Sequence, residues 1–491
     1  MKTIEADYDQ VYLMPPSLED WVSKGHPARF IREMVEQINL KDIGIKQQNP
    51  IEGRPPYANE LLLRIWLYGY WKKIRSSRKL EEACQEDIGF LWLCGQRRPD
   101  HNTLWRFFHE NRKALRELFK QTVKSALKMN LVGLVLQAVD GTRIQAICSG
   151  WESHKVEDVR KLEETLNEEI KALEKQIEDA NHEEASPTNK LPEELEDRKV
   201  LRQRIRDALK VAGEEELRHI HEKEPDARRM KCDSGNRFGY NAQVVVDSKN
   251  QIIVAQDASN DENDLSQLSP MVEQARDNTA EAVLTVADAG YSSGSELEKV
   301  WKEGIDVLVN LHPNQKVDDQ REYHSSRFEY DELNDVVICP QGRHIPFYRI
   351  RNKDGKEIRI YRCVDTCRDC PVRDSCTKDR HGRTIEIGPG YKQLRQMNEK
   401  LRDERNISLL ASRRYIVEPV FAQIKFHGQF RRWTFRGLEN VKAQWSLLCS
   451  VWNLKVIYKH WKRRIWSGPP RKRENGISIL ENISVVYMFA A

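Results

Sequence analysis

Three acids stand where chemistry is possible. Asp140 closes the apolar run VGLVLQAVD, Asp288 closes VLTVAD, and Glu418 lies among bases in RRYIVEPVFAQIK. Each has an ordinary reading on its own. An Asp before Gly is a turn former, and Arg414 with Glu418 makes an i,i+4 surface pair worth only about a few tenths of a kcal/mol. As a set they suggest more. In open α/β sheets, functional groups gather just beyond strand ends. Three carboxylates drawn to one point repel unless a cation neutralises them, and oxygen-only ligands suit Mg2+ or Mn2+. Two such ions about 4 Å apart would clamp the attacking and leaving oxygens of a phosphodiester.

The bases fit the same chemistry. On an ideal helix, at about 100° per residue, Arg414, Glu418 and Lys425 fall within about 40° of one another. Arg414 would hold a phosphate by its planar fork and Lys425 as a point charge. Arg431, Arg432 and Arg436 extend the track. Trp433 and Phe435 between them read either as platforms for unpaired bases or, for Trp433, as core. Pro419 works against this picture, because it has no N–H and disfavours a helical Glu418. If a helix starts near Glu418, Arg414 leaves the shared face.

These residues need elements to carry them. Residues 1–130 read as helices: YANELLLRIWLYGYWKKI is strongly apolar, and GQRRPD breaks the pattern before HNTLWRFFHENRKALRELF. Asp100 or Asn102 caps that last helix. Helix, turn, helix with Arg97, Arg98 and Arg106 nearby suits a DNA reader as well as a plain helical bundle. At 131 the period changes to strand. VGLVLQAVDGTRIQAI reads as a buried strand running into Asp140 with a turn at Gly141, and YNAQVVVD and QIIVAQD form a hairpin. A helix opened by Asp264 follows, then VLTVADAGY and IDVLVNL. This is an α/β sheet of mixed strand direction. Asp233, Asp247 and Asp257 read as turn or cap residues. Residues 151–230 interrupt the sheet with apolar residues at spacings of three and four, the pattern of an inserted helical hairpin.

The ordered set DGTRIQA, ADAGY and R-x3-E-x6-K resembles the DDE transposases of bacterial insertion sequences, in particular the group numbered 1182, related to those numbered 4 and 5. The stretches YGYWKKIRSSRKLEEACQEDIGFLWLCGQRRPDHNTLWRF, DARRM...GYNAQVVVD and EPVFAQIKFHGQFRRWTFRGLENVKAQW carry the likeness through most of the chain. The resemblance implies an RNase H-like core with Asp140 on the first strand, Asp288 after the fourth and Glu418 on a C-terminal helix. It implies two Mg2+ or Mn2+ ions, hydrolysis at the ends of the element, and attack of the freed 3′-OH on target DNA. Double-stranded DNA, as terminal inverted repeats and target, would be the partner of a homodimer. One position departs from the family pattern: its helix tyrosine falls at 411, which is alanine here, and Tyr415 lies elsewhere on the helix. A Mg2+-dependent nuclease without strand transfer, and a DNA-binding regulator with an inactive core, are the alternatives.

The expected organisation is a helical DNA-binding domain at 1–130, core segments at 131–150, 231–311 and 399–465, the hairpin arm at 151–230, a cysteine-bearing insertion at 312–398 and a tail at 466–491. In that insertion Cys339, Cys363, Cys367, Cys370 and Cys376 fall within 38 positions. Cys367 and Cys370 have zinc-knuckle spacing, and Cys339 with Cys376 would complete a tetrahedron, Cys363 being spare or a replacement. Unligated thiols, and an iron–sulfur cluster or a disulfide, are the other readings. Cys84, Cys94, Cys148, Cys232 and Cys449 read as core.

The chain has 491 residues, 39% hydrophobic and 32% charged, with a net charge of +4. The distribution says more than the total. Residues 455–473 hold eight Lys or Arg and no acid, which fits a nucleic-acid surface. No apolar stretch approaches the ~20 residues of a membrane helix, and MKTIEADYDQ has no secretory character. A bacterial cytoplasmic protein associated with the nucleoid is expected, with its thiols reduced or metal-bound.

Overall fold

A helix with no polar face must be buried on all sides, and NELLLRIWLYGYW is such a sequence. In the computed structural model it forms α2 (Asn59–Trp71), with Leu62, Leu63, Ile65, Trp66, Leu67, Tyr68 and Tyr70 buried. The structure describes residues 17–46, 55–148, 154–182, 190–215, 217–317, 321–353 and 356–467. Around α2 pack α1 (Pro27–Glu36), α3 (Ser77–Glu86), α4 (Ile88–Cys94) and α5 (His101–Glu110), while α6 (Arg112–Lys128) packs on the last of the described helices. Local chemistry sets their ends. Asp87 accepts hydrogen bonds from the Gly89 and Phe90 amides to cap α4, and Gly95 closes it at φ 54°. Asp100, not Asn102, caps α5 through the Thr103 amide at 2.7 Å.

The central sheet is built from β1 (Leu136–Gln145), β4 (Arg228–Cys232), β5 (Gly235–Asp247), β6 (Ile253–Ser259), β7 (Leu284–Ala287) and β8 (Val307–Val309). The two-residue strands β2 (His154–Lys155) and β3 (His219–Ile220) pair at the root of the arm. Strand order is β4-β5-β1-β7-β8, with β6 also on β5. β5 runs antiparallel to both β1 and β6, whereas β1, β7 and β8 are parallel. The chain is therefore a mixed α/β protein. α9 (Leu268–Thr279) and α10 (Gly294–Lys302) connect the later strands.

The arm is α7 (Val156–His182) and α8 (Lys190–Glu214), held by its own small cluster of Val159, Leu166, Ile205, Ala208, Ala212 and Ile220. Beyond β8 a second sheet, β9 (Glu329–Asp331), β10 (Val336–Ile338), β11 (His344–Lys353), β12 (Lys356–Tyr361) and β13 (Ile385–Ile387), has the order β13-β12-β11-β10-β9. α11 (Val364–Arg368) and α12 (Arg373–Cys376) lie between its last strands. The chain then returns through α13 (Tyr391–Lys400), α14 (Glu404–Ala422), a π turn (Gln423–His427) and α15 (Leu438–Ser467).

One hydrophobic core joins the N-terminal helices to the sheet. Phe435 is packed by Trp66, Trp105 and Phe108, with Phe108 at 4.6 Å between ring centroids. Trp433 is 1% exposed, and its indole donates to the Ile144 carbonyl at 3.1 Å. These two aromatics are core, not platforms for bases. Their apolar faces are covered from both the helices and the sheet.

α14 answers the question raised by Pro419: no helix starts near Glu418. It runs through Pro419. The missing proline N–H would leave the Tyr415 carbonyl unpaired. The Gln251 side-chain amide donates to that oxygen at 3.2 Å, from 164 positions away in the chain. A distant residue thus supplies the bond that the helix lacks. The π turn follows at once, closed by the Gly428 amide on the Gln423 carbonyl at 2.6 Å.

Glu224, buried at 1% exposure, accepts the Tyr240 hydroxyl at 3.0 Å. Burial pushes its carboxyl from an ordinary value near 4.5 up to about 7, the Tyr240 hydroxyl opposing the rise. The folded chain therefore holds this proton more tightly than the unfolded chain. Stability falls as pH rises from about 4.5 to 7, on the order of 3 kcal/mol in full. The expected result is that Glu224→Gln loses this dependence and is the more stable chain at pH 8, measured by urea unfolding at pH 5 and pH 8.

Candidate active site at the end of the parallel strands

The register of β1 against β7 brings two acids together. Ala138 pairs with Val286 in the parallel ladder. Two residues further along each strand come Asp140 and Asp288, on the same face and neighbouring chains, where strands lie about 4.8 Å apart. Asp140 does not end its strand, as expected from the sequence; β1 continues to Gln145 against β5. What ends there is the parallel partner. The pleat is freed on one side only, and Asp140 stands at that opening. Asp288 follows β7 directly and accepts the Gly290 amide at 2.8 Å.

α14 crosses this end of the sheet and carries Glu418. Arg413 reaches down from the same helix, with Nη1 2.6 Å from Asp140 Oδ2 and Nη2 4.0 Å from Glu418 Oε1. One guanidinium thus spans the gap between two carboxylates. Asp140 and Arg413 side chains are 16% and 15% exposed, and Glu418 is 57% exposed. Burial pushes the Asp140 carboxyl up to about 6; Arg413 opposes this and the neighbouring Asp288 carboxylate adds to it. The site gathers hard oxygen donors and already draws in a cation, Arg413, so its donor chemistry fits a divalent ion such as Mg2+ or Mn2+. Among the described residues, however, no group of three or more His, Cys, Asp or Glu is drawn tightly enough to hold a metal ion. The three acids are assembled but not closed on one point.

A fourth acid at this site escaped sequence reasoning. Asp264 opens no helix, since α9 begins at Leu268. Its Oδ1 instead accepts Asn241 Nδ2 and Gln243 Nε2, each at 2.6 Å, and its Oδ2 accepts Arg143 Nη2 at 3.2 Å. Gln243 Oε1 in turn accepts the buried Tyr291 hydroxyl. The network ties β1, β5 and the loop after β7 together beneath the acids. It also explains Gly141, which sits inside a strand and makes no turn. A methyl group there would stand 2.3 Å from Gln243 Nε2 and 2.7 Å from Asp264 Oδ1. No local pattern marks Asp264; only its distant partners do.

The expected basic track is dispersed. Arg414 is exposed, and the arginine at the acids is its neighbour Arg413. The continuous helix keeps Arg414 exposed beside Glu418, as the ideal wheel places it, while Arg413 turns toward the sheet end. Lys425 is buried at 8% exposure and pairs with Asp233 at 2.9 Å, because the π turn swings it to the β4–β5 turn. Asp233 is therefore an ion-pair partner as well as a turn residue. Arg432 donates to the Ala146 and Cys148 carbonyls at 3.0 and 2.8 Å, a structural role. Arg431 lies exposed, 4.9 Å from the Phe426 ring centroid, and Arg436 is exposed in a cleft with Arg204 and Asp207. Arg97, Arg98 and Arg106 are exposed on and before α5. Tyr415 is 81% exposed, and Ala411 is exposed on the same helix. Asp247 accepts the Gly133 and Lys249 amides, as suits a turn acid, whereas Asp257 lies inside β6 rather than in a turn or cap and pairs with Lys442 at 3.4 Å.

Among the described residues the insertion's thiols form no group of three drawn tightly enough to hold a metal ion. Burial raises the Cys376 pKa, Arg383 lowers it, and the nearby thiols of Cys367, Cys370 and Cys339 raise it further. Cys339 Sγ accepts the Arg343 amide at 3.3 Å. Cys363 is bonded instead by Thr366, which lowers its pKa. Cys84, Cys94, Cys148, Cys232 and Cys449 are buried.

Residues 338–458 match the family described as Transposase DDE domain, and residues 16–110 match that described as Transposase domain (DUF772). The first match holds Glu418 and the five clustered cysteines; Asp140 and Asp288 lie outside both. Together the matches support a DDE-type transposase, an enzyme acting on DNA. Comparison with curated proteins and with solved structures gave no match. Among the described residues no helix is long and apolar enough to cross a membrane.

Proposed function

We propose that this chain is a transposase of the insertion-sequence type, which cuts the ends of its element and joins the freed 3′-OH to target DNA. The observation that carries the reading is the β1–β7 register, which sets Asp140 beside Asp288 under the helix bearing Glu418. The sheet supports an RNase H-like core: a central strand with an antiparallel hairpin on one side and two parallel strands on the other. Asp140, Asp288 and Glu418 would hold two Mg2+ or Mn2+ ions, which supply charge compensation to the attacking and leaving phosphodiester oxygens. The chain's own residues do the rest. Asp264, Gln243 and Tyr291 fix the spacing of strand β1 and the loop that carries Asp288. Arg413 opposes the burial that favours protonation of Asp140, and with ions held by the acids it would face a phosphate oxygen. Arg414, Arg431, Arg436, Arg97, Arg98 and Arg106 are exposed and available to the DNA backbone. Lys425 and Arg432 stabilise the fold and leave this list. Two element ends require two such sites, hence a homodimer on DNA, in the bacterial cytoplasm at the nucleoid.

The test is incubation of the purified chain with precut element ends, a target plasmid and Mg2+ or Mn2+. Joined product supports the reading. Cut DNA without joining identifies a nuclease, and DNA binding without either identifies a regulator. For the insertion we propose structural zinc on Cys339, Cys367, Cys370 and Cys376, with Cys363 held aside by Thr366. About one zinc per chain by elemental analysis is expected, falling on Cys370→Ser and unchanged on Cys363→Ser. A metal-free chain as purified would reject it.

A further inference from the structure

Away from the acids, a cleft of about 190 Å3 opens where the end of α2, the π turn and α15 meet. Lys73, Arg75, Gln423, His427, Trp452 and Lys455 line it, and no acidic residue does. Such a cluster of cations repels itself and is costly to bury without a counter-charge. The surrounding structure nonetheless holds it. The Arg75 guanidinium donates to the Gly428 carbonyl and lies 5.2 Å from the Phe430 ring centroid, while its buried Nε has no hydrogen-bond partner. Lys455 sits 5.6 Å from the Trp71 ring centroid. Lys73 adopts φ 66°, a left-handed conformation unfavourable for a lysine. Burial, and then Arg75, Lys73 and Lys459, push the Lys455 ammonium down to about 8. No carboxylate acts on Arg75 or Lys455. An unpaired buried donor and three cations thus face one opening that no carboxylate lines.

We propose that this cleft binds a phosphate group, supplied by the backbone of the DNA on which the chain acts. The inference rests on the DNA reading above and adds a place to it. The π turn forming one wall begins five residues after Glu418, so DNA held here is anchored between the N-terminal helices and the helix that carries the third acid. Binding at this junction would also fix how those two parts grip the duplex.

The experiment uses the full chain and two variants, Lys455→Met and Lys73→Gln. Duplex DNA binding is measured by fluorescence anisotropy over a salt series, and melting is measured with and without inorganic phosphate. Each variant is expected to bind several-fold more weakly, with the slope of log K against log[salt] shallower by about 1, as for one lost phosphate contact. Lys455→Met is expected to melt no lower than the wild-type chain, because it removes an uncompensated buried charge. If the wild-type chain binds DNA and both variants bind with its affinity and slope, the cleft proposal is overturned while the DNA reading stands. If the chain does not bind DNA but inorganic phosphate raises its melting temperature, and the variants lose that shift, the phosphate site is upheld and the DNA source is overturned. No response to either ligand overturns both. A Lys455→Met chain that melts several degrees lower with an unchanged slope assigns the lysine to stability and also rejects the proposal.

Discussion

Asp140→Asn, Asp288→Asn or Glu418→Gln is each expected, on the proposed reading, to lower DNA cleavage by on the order of 10²- to 10³-fold or more while DNA binding is kept. A carboxamide preserves size and hydrogen bonding, so the sheet end and α14 have no reason to move. It removes the negative charge that a divalent ion requires. Because the same charge repels phosphate, binding is expected to be equal to or slightly tighter than wild type. Asp140→Asn has a second effect: Arg413 loses the charge of its 2.6 Å partner, and Glu418 becomes the nearest acid to it. The measurement is a metal-dependent cleavage assay beside a gel-shift assay on the same DNA. A variant that cuts at the wild-type rate removes that residue from the site.

Asp264→Ala is the second large effect, and it acts through position rather than contact. The change strips the acceptor from Asn241 Nδ2, Gln243 Nε2 and Arg143 Nη2 at once. Removing one member of such a buried charged network costs on the order of 3 kcal/mol, read as a lower urea midpoint. Gln243, released from Asp264, no longer holds the Tyr291 hydroxyl in place, and Tyr291 lies three residues beyond Asp288. A displacement of about 1 Å in a reacting group costs on the order of 10²-fold in rate. Cleavage is therefore expected to fall by more than the unfolded fraction accounts for. Asp264→Asn keeps one accepting oxygen but turns a donor toward other donors, and should fall between the two chains. A chain with Asp264→Ala that is as stable and active as wild type would show that the network has no part in placing the loops.

The predictions differ in how much of their basis a reader of the sequence could see. The strands around VLQAVD, YNAQVVVD and VLTVAD were legible because period and β-branched content are local properties. So were the apolar helix at 59–71, the two helices of the arm and the cap at Asp100. The acids 140, 288 and 418 were legible only as a set, since each alone is an ordinary turn or surface residue. The adjacency of Asp140 and Asp288 required a register, and one pairing, Ala138 with Val286, set it.

What stayed hidden depends on atoms far apart in the chain. Arg413 and Arg414 are equivalent in composition, and only the rotation of α14 over the sheet end selects Arg413. Lys425 finds Asp233 across 192 positions, and Gln251 finds the carbonyl left open by Pro419 across 164. Gly141 reads as a turn until Asp264 and Gln243 are seen pressing on it. Local periodicity and capping chemistry settled which segments are helix and strand, because those preferences act within a few residues. The partner of each charged side chain was settled only by the packed structure, because a flexible, charged side chain takes whichever partner the fold brings within hydrogen-bond reach.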